Sequence, residues 1–475
     1  MGKHTKRFAT QSLYTAFKSS ANYLEPNVSV CDDNLDVHYN PWTYAEEYLT
    51  FVAKESGTFT FTPKNDNVIS YSTDGGSTWT TGNSVEVSNG DKVMWKGTMT
   101  PSTSYSQQGI GKFGSTGNFD VQGNAMSLLY GDNYKGQTNL TGKDYAFYDL
   151  FKENTKVINA ENLSLPATTL TQRCYYNMFH GCTALTIAPE LPAMALATDC
   201  YQGMFYGCTA LTTAPELPAT TLASSCYLSM FMDCSSLTTA PKLPATTLTD
   251  MCYSNMFYGC TNLVNVPELP AMTLTTECYK RMFHNCTSLI NAPELPATTL
   301  ANYCYREMFH NCTSLTTAPE LPATTLTSYC YEQMFSGCTS LVNPPELPAT
   351  TLTSNCYGYM FNYCTNLVNA PALPATTLAQ YCYNYMFNGC TSLVTAPELP
   401  AITLASSCYY RMFYGCTSLN YIKAMFTTTP SSTYTGNWVN GVSSSGTFIK
   451  NSAAQWDVTG VHGIPTGWTV ETASA

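Results

Sequence analysis

At 475 residues the chain is long enough for several domains, yet only 11% of it is charged and its formal net charge is −11. That balance excludes a nucleic-acid binder, which needs a basic patch. Residues 1–20 carry Lys3, Lys6, Arg7 and Lys18 but no apolar core, and no long apolar run occurs anywhere, so neither an export signal nor membrane insertion is expected.

Residues 1–45 read as an N-terminal docking segment. Phe8, Leu13, Tyr14 and Phe17 fit one stripe of a short helix, and Pro26-Asn27-Val28-Ser29-Val30 fits a strand. That is too little apolar surface to fold alone. Thr5-Lys6-Arg7-Phe8, the run from Pro26 to Cys31 and Val37-His38-Tyr39-Asn40-Pro41 resemble the N-termini of structural proteins from phages of gut anaerobes. The resemblance implies attachment to virion proteins, with the rest of the chain displayed outward.

Residues 46–144 predict a small all-β, sandwich-like domain. Leu49 to Ala53, Thr58 to Thr62, Val68 to Ser72, Val85 to Val87 and Val93 to Lys96 fit short strands between turn residues. Asp74-Gly75-Gly76 is a hairpin turn. With Ser72 and Trp79 it resembles the Asp box of sialidases and propellers, a structural turn that carries no active site in one copy. The glycine-rich run from Gly109 to Gly123 is expected to be a loop.

Residues 145–424 are organised by a repeat. A leading cysteine recurs every 26 residues from Cys174 to Cys408, ten times without insertion or deletion, and a second follows each one eight residues later. Such a period means a solenoid whose coils bury their apolar faces against one another. Counting the leading cysteine as zero, positions 0, +1, +4, +5 and +8 are always Cys, Tyr, Met, Phe and Cys, which fits one face of a short helix. Positions −2, −1, +2, +3 and +6 vary and lie opposite. A short strand follows, as at Leu185-Thr186-Ile187-Ala188, and stops at Pro189 and its equivalents. Leu-Pro-Ala-Thr-Thr-Leu then closes the coil with two inward leucines. The expected fold is therefore an α/β repeat solenoid of ten 26-residue coils, preceded by the β domain. Strands about 4.8 Å apart and helices about 8–10 Å apart would curve it. Residues 145–164 form a degenerate first coil in which Phe151, Val157, Ala160 and Leu163 keep the spacing. Residues 425–475, with Trp438, Phe448, Trp456, Ile464 and Trp468, form a C-terminal cap.

Phe335, Gly337, Cys338, Leu341 and Pro345 resemble the Phe-x-Gly-Cys-x-x-Leu turn, short strand and proline of BspA-like (bacterial surface-antigen type) leucine-rich repeats. The Met-Phe pair and the Pro-Glu-Leu-Pro stretch depart from that pattern. The resemblance implies adhesion or protein recognition and no catalysis.

The chain holds 21 cysteines. Along a helix Cys174 and Cys182 would be about 12 Å apart, beyond the ~7 Å a disulfide tolerates. They are expected to pack as free, small hydrophobes.

The candidate binding surface is the variable outer face of the expected helices: Tyr176, Asn177, His180, Tyr206, Tyr258, Lys280, Arg281, His284, Arg306, His310, Tyr359, Asn384, Tyr385, Tyr410, Arg411 and Tyr414. Tyr, Asn and Arg supply contact area and adaptable hydrogen bonds at low entropic cost. A row of acids, Glu190, Glu216, Glu268, Glu294, Glu320, Glu346 and Glu398, is expected to be solvated. His284 and His310 share a position in adjacent coils, but two imidazoles without Asp or Cys nearby make no specific metal site. No catalytic constellation and no cofactor site are found.

These features point to a phage virion surface protein whose solenoid contacts a protein or glycan of the bacterial surface. The alternatives are a bacterial cell-surface adhesin and a capsid decoration without a receptor role.

Overall fold

The computed structural model describes residues 44–473. The docking segment expected over residues 1–45 lies almost wholly outside them.

Eight strands come first: β1 (Leu49–Ala53), β2 (Gly57–Pro63), β3 (Ile69–Ser72), β4 (Thr80–Thr81), β5 (Ser84–Val87), β6 (Lys92–Gly97), β7 (Gly111–Ser115) and β8 (Phe119–Asn124). Strands β7 and β8 fall in the run expected to be a loop. Phe119 and Val121 alternate inward there. The glycines serve close approach: a Cβ on Gly111 would strike the Phe61 ring, and one on Gly123 the Tyr48 carbonyl. Glycine is a turn signal in sequence, but in a strand it also marks such contacts.

One sheet runs β10 (Leu163–Ser164), β8, β1, β6, β3, β4, with β9 (Val157–Asn159) also on β8; a second runs β5-β2-β7. Strand β8 pairs antiparallel with β1 but parallel with β9 and with β10. The sheet thus continues into the first coil. The Phe51 ring joins both parts, lying 4.7 Å from Phe113 and 5.8 Å from Phe151. The 72–79 turn is tied by its own side chains: Ser72 Oγ donates to Asp74 (2.7 Å), and Trp79 Nε1 donates to the Gly76 carbonyl (3.1 Å).

Positions 0, +1, +4, +5 and +8 are buried in every coil, as in Cys278, Tyr279, Met282, Phe283 and Cys286, all at 1% exposure or less. The segment that carries them is not a helix. Among the described residues, 165–424 contain no α-helix, which corrects the α part of the expected α/β repeat. The segment is a run of consecutive turns with a residue at positive φ every four positions, for example Glu277 (56°), Arg281 (55°) and Asn285 (60°).

Backbone donors alternate along this run. The amides of Cys278, Lys280, Met282, His284 and Cys286 donate three residues back within the coil. Those of Glu277, Tyr279, Arg281, Phe283 and Asn285 donate to the next coil, to the carbonyls of Asn302, Cys304, Arg306, Met308 and His310. Buried donors are thereby paired.

Coil spacing explains the difference. Phe283 and Phe309 stack with centroids 5.7 Å apart, and Tyr279 and Tyr305 are 5.9 Å apart. Helices need about 8–10 Å between axes, so none fits. A turn run satisfies the same inward pattern with a period of four. The helix–strand mismatch behind the expected curvature is therefore absent.

The far side of each coil is equally close-packed. Strands there reduce to single bridged residues, such as Asn291↔Thr317↔Asn343, and a second row bridges Thr273↔Thr299 and Thr351↔Thr377. The Leu-Pro-Ala leucines are buried (Leu295 3%, Leu321 4%).

The cysteines of the array are free and buried. Each +8 thiol donates to the carbonyl of the preceding coil's phenylalanine, as from Cys312 Sγ to Phe283 (3.1 Å). Burial raises the thiol pKa values, to about 11 for Cys252 and about 12 for Cys174 and Cys416.

At the far end, Trp438 lies 6.2 Å from Tyr409 and 6.1 Å from Phe413, covering both ring columns with one indole. Its Nε1 donates to the Gly463 carbonyl (2.9 Å). The intercoil bonds also run on past residue 424, from Tyr409 and Phe413 to Tyr434 and Trp438. Strands β11 (Tyr421–Ala424), β12 (Thr447–Lys450) and β13 (Thr469–Thr472) close the end as a parallel sheet.

Two predictions follow from this architecture. Met251 has φ 57°, so Met251→Gly is expected to be more stable than Met251→Ala by about 1 kcal/mol, the reverse of helix behaviour. Denaturant titration of the two variants decides it. The thiols have folded pKa values above the unfolded value of about 8.5. Their stabilisation is complete below that pH and is lost as pH rises towards the folded values, each thiol contributing about 1.4 kcal/mol per pH unit. Melting between pH 8 and pH 11 should show a steep fall in midpoint, and iodoacetamide at pH 8.5 should label these thiols only after unfolding.

Candidate ligand-recognition face

Positions +2, +3 and +6 of the turn run make one surface, at the same close coil spacing as the interior. Side chains at equivalent positions therefore meet, and the surface resolves into three patches.

The first patch is near the start of the array. Tyr176 stacks on Tyr148 at 4.9 Å, and His180 meets Tyr206 edge-on at 4.4 Å. Arg173 pairs with Asp199 at 2.9 Å and lies over Tyr176. Asn177 sits at φ 53° beside Asp149, whose carboxyl is pushed up by burial.

The second patch is ionic. Tyr258, His284 and His310 form a column with 4.4 and 4.5 Å between rings. Arg281 grips Glu307 twice, at 2.7 and 2.9 Å. Arg306 Nε lies 3.3 Å from Glu307 and 2.6 Å from Glu332. Lys280 pairs with Glu277 at 3.0 Å. Burial opposes the charge on Glu307, yet the Arg281 bonds hold its pKa below the ordinary value. Glu332 is raised, by burial first, with Arg306 opposing. Burial and the neighbouring His310 lower His284 to about 4, and burial lowers His310.

Ligand atoms of His284, Glu307 and His310 all lie within 4.8 Å of one another. Glu307 completes the cluster, and its place three residues before His310 is a usable sequence signal. Two guanidinium groups already occupy that carboxylate, so the cluster works as an ion-pair network across coils.

The third patch is aromatic and nearly uncharged. Tyr359 stacks on Tyr385 at 4.4 Å, and Tyr385 meets Tyr410 at 5.4 Å. Arg411 lies over Tyr385, Tyr410 and Tyr414 at 5.5, 5.5 and 5.2 Å. Asn384 is buried (6%) and its Oδ1 has no hydrogen-bond partner. Tyr363, which the sequence analysis did not single out, is exposed at 57% and lies against Gly389 of the next coil.

The face is thus less free than its sequence suggested. Of the candidate residues Tyr414 is the most open, at 38% exposure, His284 and Asn384 are buried, and the others are half-buried. The glutamates of the row, which Lys242 and Ala372 interrupt, are all exposed, and Glu398 pairs with Lys423 at 3.0 Å. A cleft beside β7 gathers Lys112, Asp149, Lys152 and Glu153, where Lys112 pairs with Glu153 and Lys152 with Asp149.

A family model described as BspA type leucine rich repeat region matches in six copies, over residues 143–290, 229–368 and 304–437. Among solved structures, that of a TLR13–ssRNA13 complex is similar over 65% of this chain and 53% of that chain, at 12% identity and a TM-score of 0.19. This chain therefore covers about half of that one. No curated protein matches.

The ionic patch gives a pH prediction. Because the folded pKa of His284 is depressed, its stabilisation is present above the unfolded value of about 6.5 and is lost as pH falls towards 4. The melting midpoint should drop between pH 6.5 and pH 4.5. His284→Phe, which keeps the stack, should flatten that drop.

Proposed function

This chain belongs to the BspA type leucine rich repeat family, and we propose that it is a recognition protein whose varied turn face binds a macromolecule on a bacterial surface. One observation carries the reading. The stacked interior is identical from coil to coil, while the face above it changes and concentrates Tyr, His, Arg and Asn. Such residues on a rigid support lose little entropy on binding. A fixed core with a varied face is what a binding scaffold requires; catalysis would need convergent groups at one point.

We place the protein on a phage particle, docked through residues 1–45, because that segment resembles phage structural proteins. The bacterial surface adhesin is the second reading, supported by the repeat family. Immunogold electron microscopy with antibody to residues 165–424 separates them: particle labelling supports the first, and cell-surface labelling without particles supports the second.

The recognition reading has its own test. The triple variant Tyr359→Ser, Tyr385→Ser, Tyr410→Ser should melt within a few degrees of the parent and lose at least about tenfold in attachment to host cells, the scale of a small hot spot. Unchanged attachment overturns the reading.

A further inference from the structure

We propose that the end of the turn face around Arg411 is a site for an acidic saccharide, bound through a sugar carboxylate. The proposal rests on the recognition reading above and names the ligand class for one patch of that face.

The first observation is an uncompensated charge. Four arginines lie among the described residues. Arg173 pairs with Asp199, Arg281 with Glu307 and Arg306 with Glu332. Arg411 has no carboxylate partner among the described residues. Its Nε is shut off from solvent and makes no hydrogen bond.

Its surroundings sharpen the point. From Leu347 to Trp456 the other charged residues are Glu398, Lys423 and Lys450. Glu398 and Lys423 pair with each other, and Lys450 pairs with Asp457. One guanidinium is therefore left facing an otherwise neutral surface. The Nη1–Nη2 edge of its planar fork, which is not shut off as Nε is, fits a carboxylate in a bidentate way.

The second observation is what surrounds that fork. Tyr385, Tyr410 and Tyr414 ring the guanidinium. Tyrosine pairs an apolar face with a polar tip. Asn384 precedes Tyr385 on the same turn, its carbonyl oxygen shut off from solvent against Gly358 of the coil before. A sugar ring is likewise apolar on its C–H face and polar at its hydroxyl edge. One cation among neutral aromatic and amide groups suits a ligand with sparse charge and many hydroxyls. A run of acidic side chains in a peptide would instead call for a basic cluster.

The test uses the full chain and isothermal titration with oligogalacturonate, its carboxyl-reduced neutral counterpart, sialyllactose and a polyglutamate peptide. We expect binding of oligogalacturonate or sialyllactose, which tells a uronate from a sialate. Carboxyl reduction should weaken oligogalacturonate binding at least about tenfold, the scale of a charged hydrogen bond. Arg411→Gln should weaken binding as much with its melting midpoint unchanged, Arg411→Lys should recover part of the loss, and Tyr105→Ser, which removes an exposed ring of the β domain, should change nothing. The proposal is overturned if Arg411→Gln binds like the parent, if reduction has no effect, or if the peptide binds as well as the sugars. If no acidic sugar binds while the triple tyrosine variant still loses attachment, the saccharide falls and the recognition reading stands. If attachment also survives that variant, both fall.

Discussion

The distance between stacked rings governs this structure. Tyr on Tyr and Phe on Phe recur at 5.6–6.0 Å within the regular array. Each contact adds about 0.5–1.5 kcal/mol beyond the area it buries. At that spacing a helix has no room, and a turn run takes its place. Residues such as Arg281 and Tyr359 accept positive φ there, a conformation that costs a side-chain-bearing residue about 1–2 kcal/mol. The return is that alternate amides reach the next coil, so register is fixed by backbone as well as by side chains.

The same spacing disciplines the outer face. A side chain there must suit its neighbour one coil away, either by stacking, as Tyr359 on Tyr385, or by opposite charge, as Arg281 on Glu307 and Arg306 on Glu332. Variation is therefore correlated along the array. A charge that finds no counterpart, as at Arg411, stands out against this pattern. The ends obey a related rule, since an open ring column would expose its last face. Phe147 and Phe151 meet Tyr175 and Phe179 at one end, and Trp438 covers Tyr409 and Phe413 at the other.

Much of this was legible in the residues. The 26-residue period and the buried set at 0, +1, +4, +5 and +8 follow from which positions tolerate change. The helix did not survive. An inward pattern repeated over only nine residues suits a period of 3.6 or of 4, and nothing in the sequence states how closely neighbouring coils approach. Strands β7 and β8 were hidden because glycine signals a loop unless its partner across the sheet is known.

The sequence by itself determined that this is a solenoid, which side chains form its interior and which positions vary, because strict repetition of apolar types is a direct record of burial. Only the tertiary structure decided the turn run, the grouping of Glu307 with His284 and His310, and the isolation of Arg411. Each depends on contacts between residues about one coil apart, and those distances are set by how the rings stack.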